Sequence, residues 1–239
     1  VDILRTKMDE WTVKPFDRFV VLTAEDQGYW GALPNIRVIP NPLPFTSDET
    51  SSCKATKVVA VGRYDFQKNF SKLLQLWARI APQFPEWTLE IYGNGDQRCQ
   101  LEQEVKDLGI SSSVTLAQPT HQMKEVYLSA SIYAMTSRYE GLPMVLIEAQ
   151  QMGLPIVSFA CPCGPRDVIH DGEDGFLIPM GEDDIFLKAL TTLMASEEKR
   201  ICMGQRAREA SARYEVDAVM NKWLTLFSEL VPTKPTAGL

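Results

Sequence analysis

The stretch SRYEGLPMVLIEAQQMGLP, residues 137–155, places Glu140 before a Gly-Leu-Pro turn and Glu148 inside the apolar run that follows. Carboxylates at such a spacing serve one of three chemistries: capping a helix, exchanging protons as a general acid/base couple, or accepting hydrogen bonds from hydroxyl groups. Pro143 suits the first position of a helix, because its missing N–H would have no intrahelical partner there. The N–H groups of Met144 and Val145 then point out of the helix start, where the dipole favours an anion such as phosphate. Glu148 stands five residues beyond Pro143, roughly 7.5 Å along the axis at the α-helical rise, too far in to cap the first turn. Two carboxylates beside a phosphate would repel it unless each faced something else, and a vicinal diol can donate two hydrogen bonds to each. A ligand with sugars on both sides of a diphosphate meets that demand: a nucleotide sugar, ribose at one end and transferable sugar at the other.

These residues need a frame that brings them to one place. Runs at 19–23 (FVVLT) and 36–39 (IRVI) read as strands, the second ended by the proline-rich NPLPF at 41–45. The polar stretch 46–57 reads as a linker. From there the pattern is regular: strands at 58–62, 87–93, 113–118, 131–137 and 155–160 alternate with helical stretches at 69–84, 97–108, 121–129, 143–152 and 183–195, with two more helices over 197–230. Phe70, Leu73, Leu74, Trp77, Ile80 and Ala81 form one stripe that should pack on a sheet. Strands alternating with helices predict an α/β fold with a Rossmann-like, doubly wound parallel sheet. In such a sheet ligands bind beyond the carboxyl ends of the strands. That rim carries Gly62-Arg63 and Lys68, Gly93-Asn94-Gly95, Gln118-Pro119, and the Glu140 turn.

The gross numbers leave room for this and close other routes. The chain has 239 residues, 45% hydrophobic and 23% charged, enough for one large domain or one and a half. Its net charge of −7 argues against a nucleic-acid-coating surface. Cys53, Cys99, Cys161, Cys163 and Cys202 lack the spacing of a disulfide framework or zinc site, and His121 and His170 cannot complete a metal shell. They read as reduced thiols of a cytoplasmic protein. No run of apolar residues is long enough to span a membrane and no leader opens the chain. Val1 and the residues after it read as the middle of something, so the chain is expected to be a fragment. Neither a G-x-G-x-x-G fingerprint nor a P-loop is present.

Glu140 to Glu148, in the form E-G-x-P-x-V-x-x-E, together with Val61-Gly62-Arg63 and Lys68 in the form V-G-R-x-x-x-x-K, resembles the C-terminal domain of the retaining GT-B glycosyltransferases of glycosyltransferase family 4 (glycosyl transferases group 1). The resemblance covers about residues 17 to 230. The segments DRFVVLT (17–23) and VIPNP (38–42) resemble the family's last N-terminal-domain segment and its interdomain crossing. The implied organisation is a remnant of the acceptor domain over 1–45, a linker over 46–57, a donor-binding domain over 58–230, and a disordered tail over 231–239.

The resemblance implies a hexosyltransferase-type enzyme that binds a UDP- or GDP-sugar and transfers its glycosyl group with retention to a polysaccharide, lipid-linked or other acceptor. It implies no cofactor and no metal, dependence on a missing N-terminal domain, and room for peripheral membrane association of the full-length protein. By the same resemblance, Arg63 and Lys68 contact the diphosphate, and Glu140 hydrogen-bonds the donor sugar as the catalytic-site carboxylate. Gly141, Leu142, Pro143, Met144 and Val145 offer backbone groups to phosphate and sugar, and Glu148 takes the ribose hydroxyls. The nucleobase lies near Gly93, Leu116, Gln118 and Pro119, although Pro119 lacks the N–H that the family often uses there. Arg166, in Gly164-Pro165-Arg166, reads either as an approach to the sugar or acceptor or as a helix-start salt bridge. A non-catalytic nucleotide-sugar-binding module and a nucleotide-sugar epimerase remain alternatives; a sugar phosphorylase is weakened because no lysine motif suits pyridoxal phosphate.

Overall fold

A computed structural model describes residues 12–31 and 33–231 of the chain. The main sheet has six strands, all parallel: β3 (Lys57–Val61), β4 (Thr88–Tyr92), β5 (Val114–Ala117), β6 (Ile132–Met135), β7 (Ile156–Phe159) and β8 (Gly175–Ile178). Their order is β5-β4-β3-β6-β7-β8, so the chain winds outward from β3 in one direction and then restarts beside β3 in the other. This is the expected doubly wound, Rossmann-like sheet, and its switch point lies between β3 and β6.

Side chains alternate across the sheet because the strand period is two. Val58, Ala60, Ile132 and Ala134 enter one core cluster, shared with α2 (Phe70–Ile80), α3 (Arg98–Asp107) and α7 (Asp183–Ala195). Val59, Tyr133 and Met135 enter the other, with α4 (Met123–Leu128) and α5 (Met144–Gln151). In α2 the buried residues are Phe70, Leu73, Leu74, Leu76, Trp77 and Ile80, the expected stripe with Leu76 added and without Ala81, which lies half-buried just past the helix end. Each such side chain contributes about 2 kcal/mol of burial. A 3-10 turn over Ala81–Gln83 ends the element at Pro82.

Strand β8 and the short helix α1 (Ala24–Tyr29) were not expected from the sequence, and the short helix α6 (Pro165–Val168) was expected only as a helix start beside Arg166. GFLI at 175–178 is short and follows the turn-rich HDGED, so it carries no length signal to separate it from a loop. Pairing with β7 makes it a strand. The helices α8 (Glu197–Ser211) and α9 (Val216–Leu230) complete the chain.

Strands β1 (Phe19–Val21) and β2 (Ile36–Val38) form a separate two-stranded parallel sheet around α1. It packs on α9, where Ile39, Val219 and Leu226 are buried with Val20 and Trp223 against them. Arg18 and Arg37 both reach Glu229, each at 3.2 Å.

The stretch 46–57 has no helix and, before Lys57, no strand, yet it is not a free tether. Arg200 donates to the Cys53 carbonyl at 2.9 Å, Cys53 Sγ bonds the Gly153 carbonyl, and the Ser51 amide bonds the Met152 carbonyl. Within this stretch the Ser51 hydroxyl accepts from the Cys53 amide and donates to the Ala130 carbonyl, bonds that composition alone cannot distinguish from solvation. Beyond Val231, the expected tail lies outside the described residues, as does the beginning of the 1–45 segment. No described helix is long and apolar enough to cross a membrane.

Candidate functional site

The switch point brings Lys68 and Glu140 together. Lys68 follows β3, Glu140 follows β6, and Nζ of one lies 2.7 Å from Oε1 of the other, with side chains only 15% and 6% exposed. The stem of Lys68 runs against Gly62, where any side chain would crowd it. Gln67 adds a longer contact to Glu140 Oε2 at 3.4 Å and donates to the Tyr139 carbonyl at 3.0 Å. The Lys68 amide is capped by Asp65 Oδ1 at 3.0 Å, and Asn69 adopts a left-handed backbone to open α2. Arg63 stands apart from this pair: its side chain is 76% exposed and rests on Asp65 at 3.3 Å. The two cations therefore flank one loop, but only Lys68 meets the carboxylate.

After Glu140 the chain turns through Gly141 and Leu142 into α5. Pro143 occupies the N-cap position, one residue before its expected place, with ψ at 89° outside the helical range. No side chain caps this helix, so the first N–H groups, those of Met144 and Val145, have no intrahelical partner. Gly141 is exposed, Met144 and Val145 are half-buried, and Leu142 and Pro143 are buried beneath them. The turn is fixed from behind. The Glu140 amide donates to the Pro162 carbonyl at 2.9 Å, and Gly164, with φ at +98°, sits so close that a side chain there would overlap Pro143 and the Gly141 carbonyl. Only glycine meets both conditions.

Glu148 lies in the middle of α5, half-buried. Its Oε2 accepts a 2.7 Å hydrogen bond from the Tyr127 hydroxyl. Burial raises the carboxyl above the ordinary glutamate range, and the Tyr127 bond pulls it partly back. A group whose native pKa is raised disfavours the native state as pH climbs through that value, and contributes no such penalty below its unfolded pKa. Glu148→Gln should therefore raise the Tm at pH 7 by a few degrees, with the difference shrinking as pH falls toward 4.5. Thermal denaturation across that range tests this; an equal or lower Tm for the variant at pH 7 would contradict it.

A cavity of about 350 Å³ opens beside the β3 end, lined by Val61, Gly62, Arg63, Tyr92, Gly93, Asn94, Pro119, Thr120 and Met123. Its lining is mostly apolar, with Thr120 and Asn94 as polar edges. Gly93 and Pro119, two of the four base-contact candidates, border it. The other two do not: Leu116 belongs to β5, packing against the core and accepting from Arg98 at 3.3 Å, while Gln118 is exposed away from the lining. Leu116 lies inside β5, where its side chain turns to the core, whereas Gln118 and Pro119 follow the end of the strand.

Arg166 pairs with Glu25 of α1 at 3.0 Å, so the structure gives it the helix-start salt bridge. Its neighbour Asp167 accepts from the Ala24 amide at 2.6 Å and the Glu25 amide at 3.3 Å, capping α1. His170 is exposed and held by Asp174 at 2.8 Å.

Tyr92, Thr120, Met123 and Tyr127 were not singled out in the sequence. Tyr127 alone carried a usable signal: it falls on the apolar stripe of its helix with Met123 and Val126, and a buried tyrosine hydroxyl needs a partner. The others become recognisable only once the strand ends are set side by side.

Comparison with known proteins agrees with this architecture. Residues 47–210 match the family described as Glycosyl transferases group 1. The amylovoran biosynthesis glycosyltransferase AmsD of Erwinia amylovora is 36% identical over 217 residues, 87% of this chain and 61% of the relative. A glycosyltransferase of Haemophilus influenzae without an assigned function is 31% identical over 92% of the chain and 64% of its own length. The chain thus spans less than two thirds of these relatives. Among solved structures, Anabaena HepE in complex with UDP superposes with a TM-score of 0.84 at 19% identity, covering 95% of this chain and 68% of the other. Staphylococcus aureus TarM, solved with UDP and a glycosylated glycerol, gives 0.82 at 22%, covering 92% and 46%. At these identities the likeness is one of fold, that of the GT-B glycosyltransferases.

Proposed function

We propose that this chain, which belongs to the glycosyl transferases group 1 family, is the donor half of a retaining glycosyltransferase of family 4 that takes a UDP- or GDP-sugar. The observation that carries this reading is the Lys68–Glu140 pair across the switch point, set directly before a helix start with open amides. An ammonium that spends one donor on Glu140 keeps two for a diphosphate. The same contact aims Lys68, while the carboxylate retains acceptor sites for hydroxyls of the donor sugar.

In this reading the leaving group is a nucleoside diphosphate. Lys68, Arg63 and the amides of Met144 and Val145 stabilise the charge that builds on it as the anomeric bond breaks. Arg63, exposed and at the mouth of the cavity, swings from Asp65 to the phosphates. Glu148 accepts from the ribose, and the apolar cavity beside Gly93 and Pro119 houses the base. Glu140 and Glu148 do not act as a couple on one bond, because the helix start lies between them. No metal takes part in the proposed scheme. HepE and TarM were each solved with UDP, which favours a uridine nucleotide.

The segment 12–45 is proposed to be the edge of the acceptor domain. A two-stranded parallel sheet is not stable alone and normally lies inside a larger covered sheet. The side of α9 away from Val219 and Leu226 carries exposed Val216, Met220, Leu224 and Phe227. Polysaccharide biosynthesis is the proposed setting, supported by the amylovoran biosynthesis named for AmsD and the exopolysaccharide named for a relative from Streptomyces coelicolor, with a growing glycan or lipid-linked acceptor held by the rest of the protein.

Titration of the 239-residue chain with UDP, GDP and ADP in a calorimeter tests the donor site. One of the three should bind, unchanged by EDTA, and binding should be lost in Arg63→Ala/Lys68→Ala. Absence of binding to all three would refute the reading.

A further inference from the structure

Between the cavity and α5 lies a file of two fully buried tyrosines that the scheme above leaves without a part. Tyr133, on β6, places its hydroxyl 3.3 Å from both the amide and the carbonyl of Val61, the last residue of β3 and part of the cavity wall. Tyr127, on α4, packs its ring against that of Tyr133 with centroids 6.2 Å apart. Its hydroxyl emerges on the other side, 2.7 Å from Glu148 Oε2. Tyr127 is wholly inaccessible to solvent, so it touches neither a ligand in the cavity nor one on the helix start.

A phenol has one proton to donate. Burial and the neighbouring Glu148 carboxylate push Tyr127 well above its ordinary range, so that proton stays on the oxygen, and the geometry directs it to Oε2. One oxygen of the carboxylate is therefore tethered, and the other is left without a hydrogen-bond partner among the described residues. An untethered glutamate would lose rotamer entropy each time a ligand ordered it. The tether removes part of that cost beforehand, and because the ring behind it is clamped by Tyr133, the donor itself cannot drift.

We propose that Tyr127 is the positioning residue for Glu148, holding one carboxylate oxygen so that the other is presented to a vicinal diol of the ligand. The inference rests on the ribose reading of Glu148 given above and extends it to a residue that never touches the nucleotide. Tyr133 and Val61 complete the tether and tie it to the wall of the base cavity, so the ribose grip and the cavity are referred to one rigid element. A purely structural tyrosine would support the fold without regard to which ligand is bound. A positioning tyrosine matters only when hydroxyls are there to be gripped.

The test uses the full 239-residue chain and two probes, UDP and 2′,3′-dideoxy-UDP, or the GDP pair where GDP binds more tightly. Tyr127→Phe should weaken UDP binding roughly fivefold, the scale of one net hydrogen bond, and leave the dideoxy nucleotide within about twofold. Glu148→Ala should bring UDP down to the affinity of the dideoxy probe, and Tyr127→Phe added to it should then change nothing further. Equal weakening of both probes by Tyr127→Phe, or none of either, overturns the positioning role while leaving the ribose reading intact. Undiminished UDP binding by Glu148→Ala overturns the ribose reading and the proposal with it. If Tyr127→Phe does not fold, a crystal structure of the wild-type complex decides the matter. Tyr127 retained on Oε2 with the ribose on Oε1 supports the proposal, and a ribose bound without that tether overturns it.

Discussion

Lys68→Met is expected to unfold the chain more readily and to abolish nucleotide binding, and a second substitution should separate the two effects. Glu140 is nearly enclosed, and its ammonium partner sits 2.7 Å away. Removing one member of such a pair leaves a carboxylate buried without a counter-charge, which costs about 3 kcal/mol. Replacing both members should recover most of that loss, because Glu140→Gln carries no charge to strand. Urea denaturation of wild type, Lys68→Met, Glu140→Gln and the double variant would measure the coupling. Nucleotide binding should follow a different course: lost in Lys68→Met and still lost in the stable double variant, since the phosphate contact is gone in both. Recovered binding in the double variant would show that Lys68 only neutralises Glu140 and does not hold the diphosphate. A coupling near zero would remove the pair from the account of stability.

Gly93→Ala should have the second large effect, here through backbone sterics. Strands β3 and β4 end side by side, with the Gly62 amide on the Tyr92 carbonyl and the Gly93 amide on the Ala117 carbonyl. A Cβ on Gly93 would overlap the Gly62 carbonyl oxygen and press on the ring of Tyr64. Tyr64 is buried, with its hydroxyl bonded to the carbonyls of Ile91 and Ala117, so it cannot yield. The expected cost is about 3 kcal/mol, a Tm lower by about 10 °C for a chain of this size. The displaced Gly62 would also shift the stem of Lys68. Gly28→Ala serves as the control, since nothing lies within contact of that position and it sits in a helix; it should be neutral or slightly stabilising. A Tm for Gly93→Ala within about 2 °C of wild type would show that the strand ends are looser than their hydrogen bonds imply.

The residues differ in how far the sequence could place them. Phe70, Leu73, Leu74 and Trp77 recur at helical spacing, and the strand at 58–62 is apolar on both faces, so local pattern suffices to call a helix on a parallel sheet. GFLI at 175–178 was missed because a four-residue strand at a sheet edge depends on its partner β7 for its existence. The packed state of 46–57 was missed for a related reason: serine and threonine look the same whether their partner is water or the Cys53 and Met152 backbone.

What the sequence determined by itself was periodicity, and with it the parallel sheet, the family motifs and the order of rim loops along the chain. What only the tertiary structure decided was which of those loops share a space. Lys68 and Glu140 are 72 positions apart and become partners because the winding reverses between β3 and β6. Arg63, five residues from Lys68, turns instead to Asp65; Arg166 turns to Glu25; and Tyr127 finds Glu148 through the packing of α4 on α5. A motif fixes residue types and spacing along one strand or helix, where the backbone repeat sets distance. Pairing between elements is set by the sheet order and by which side chains are buried beneath them, and no single stretch of sequence contains that information.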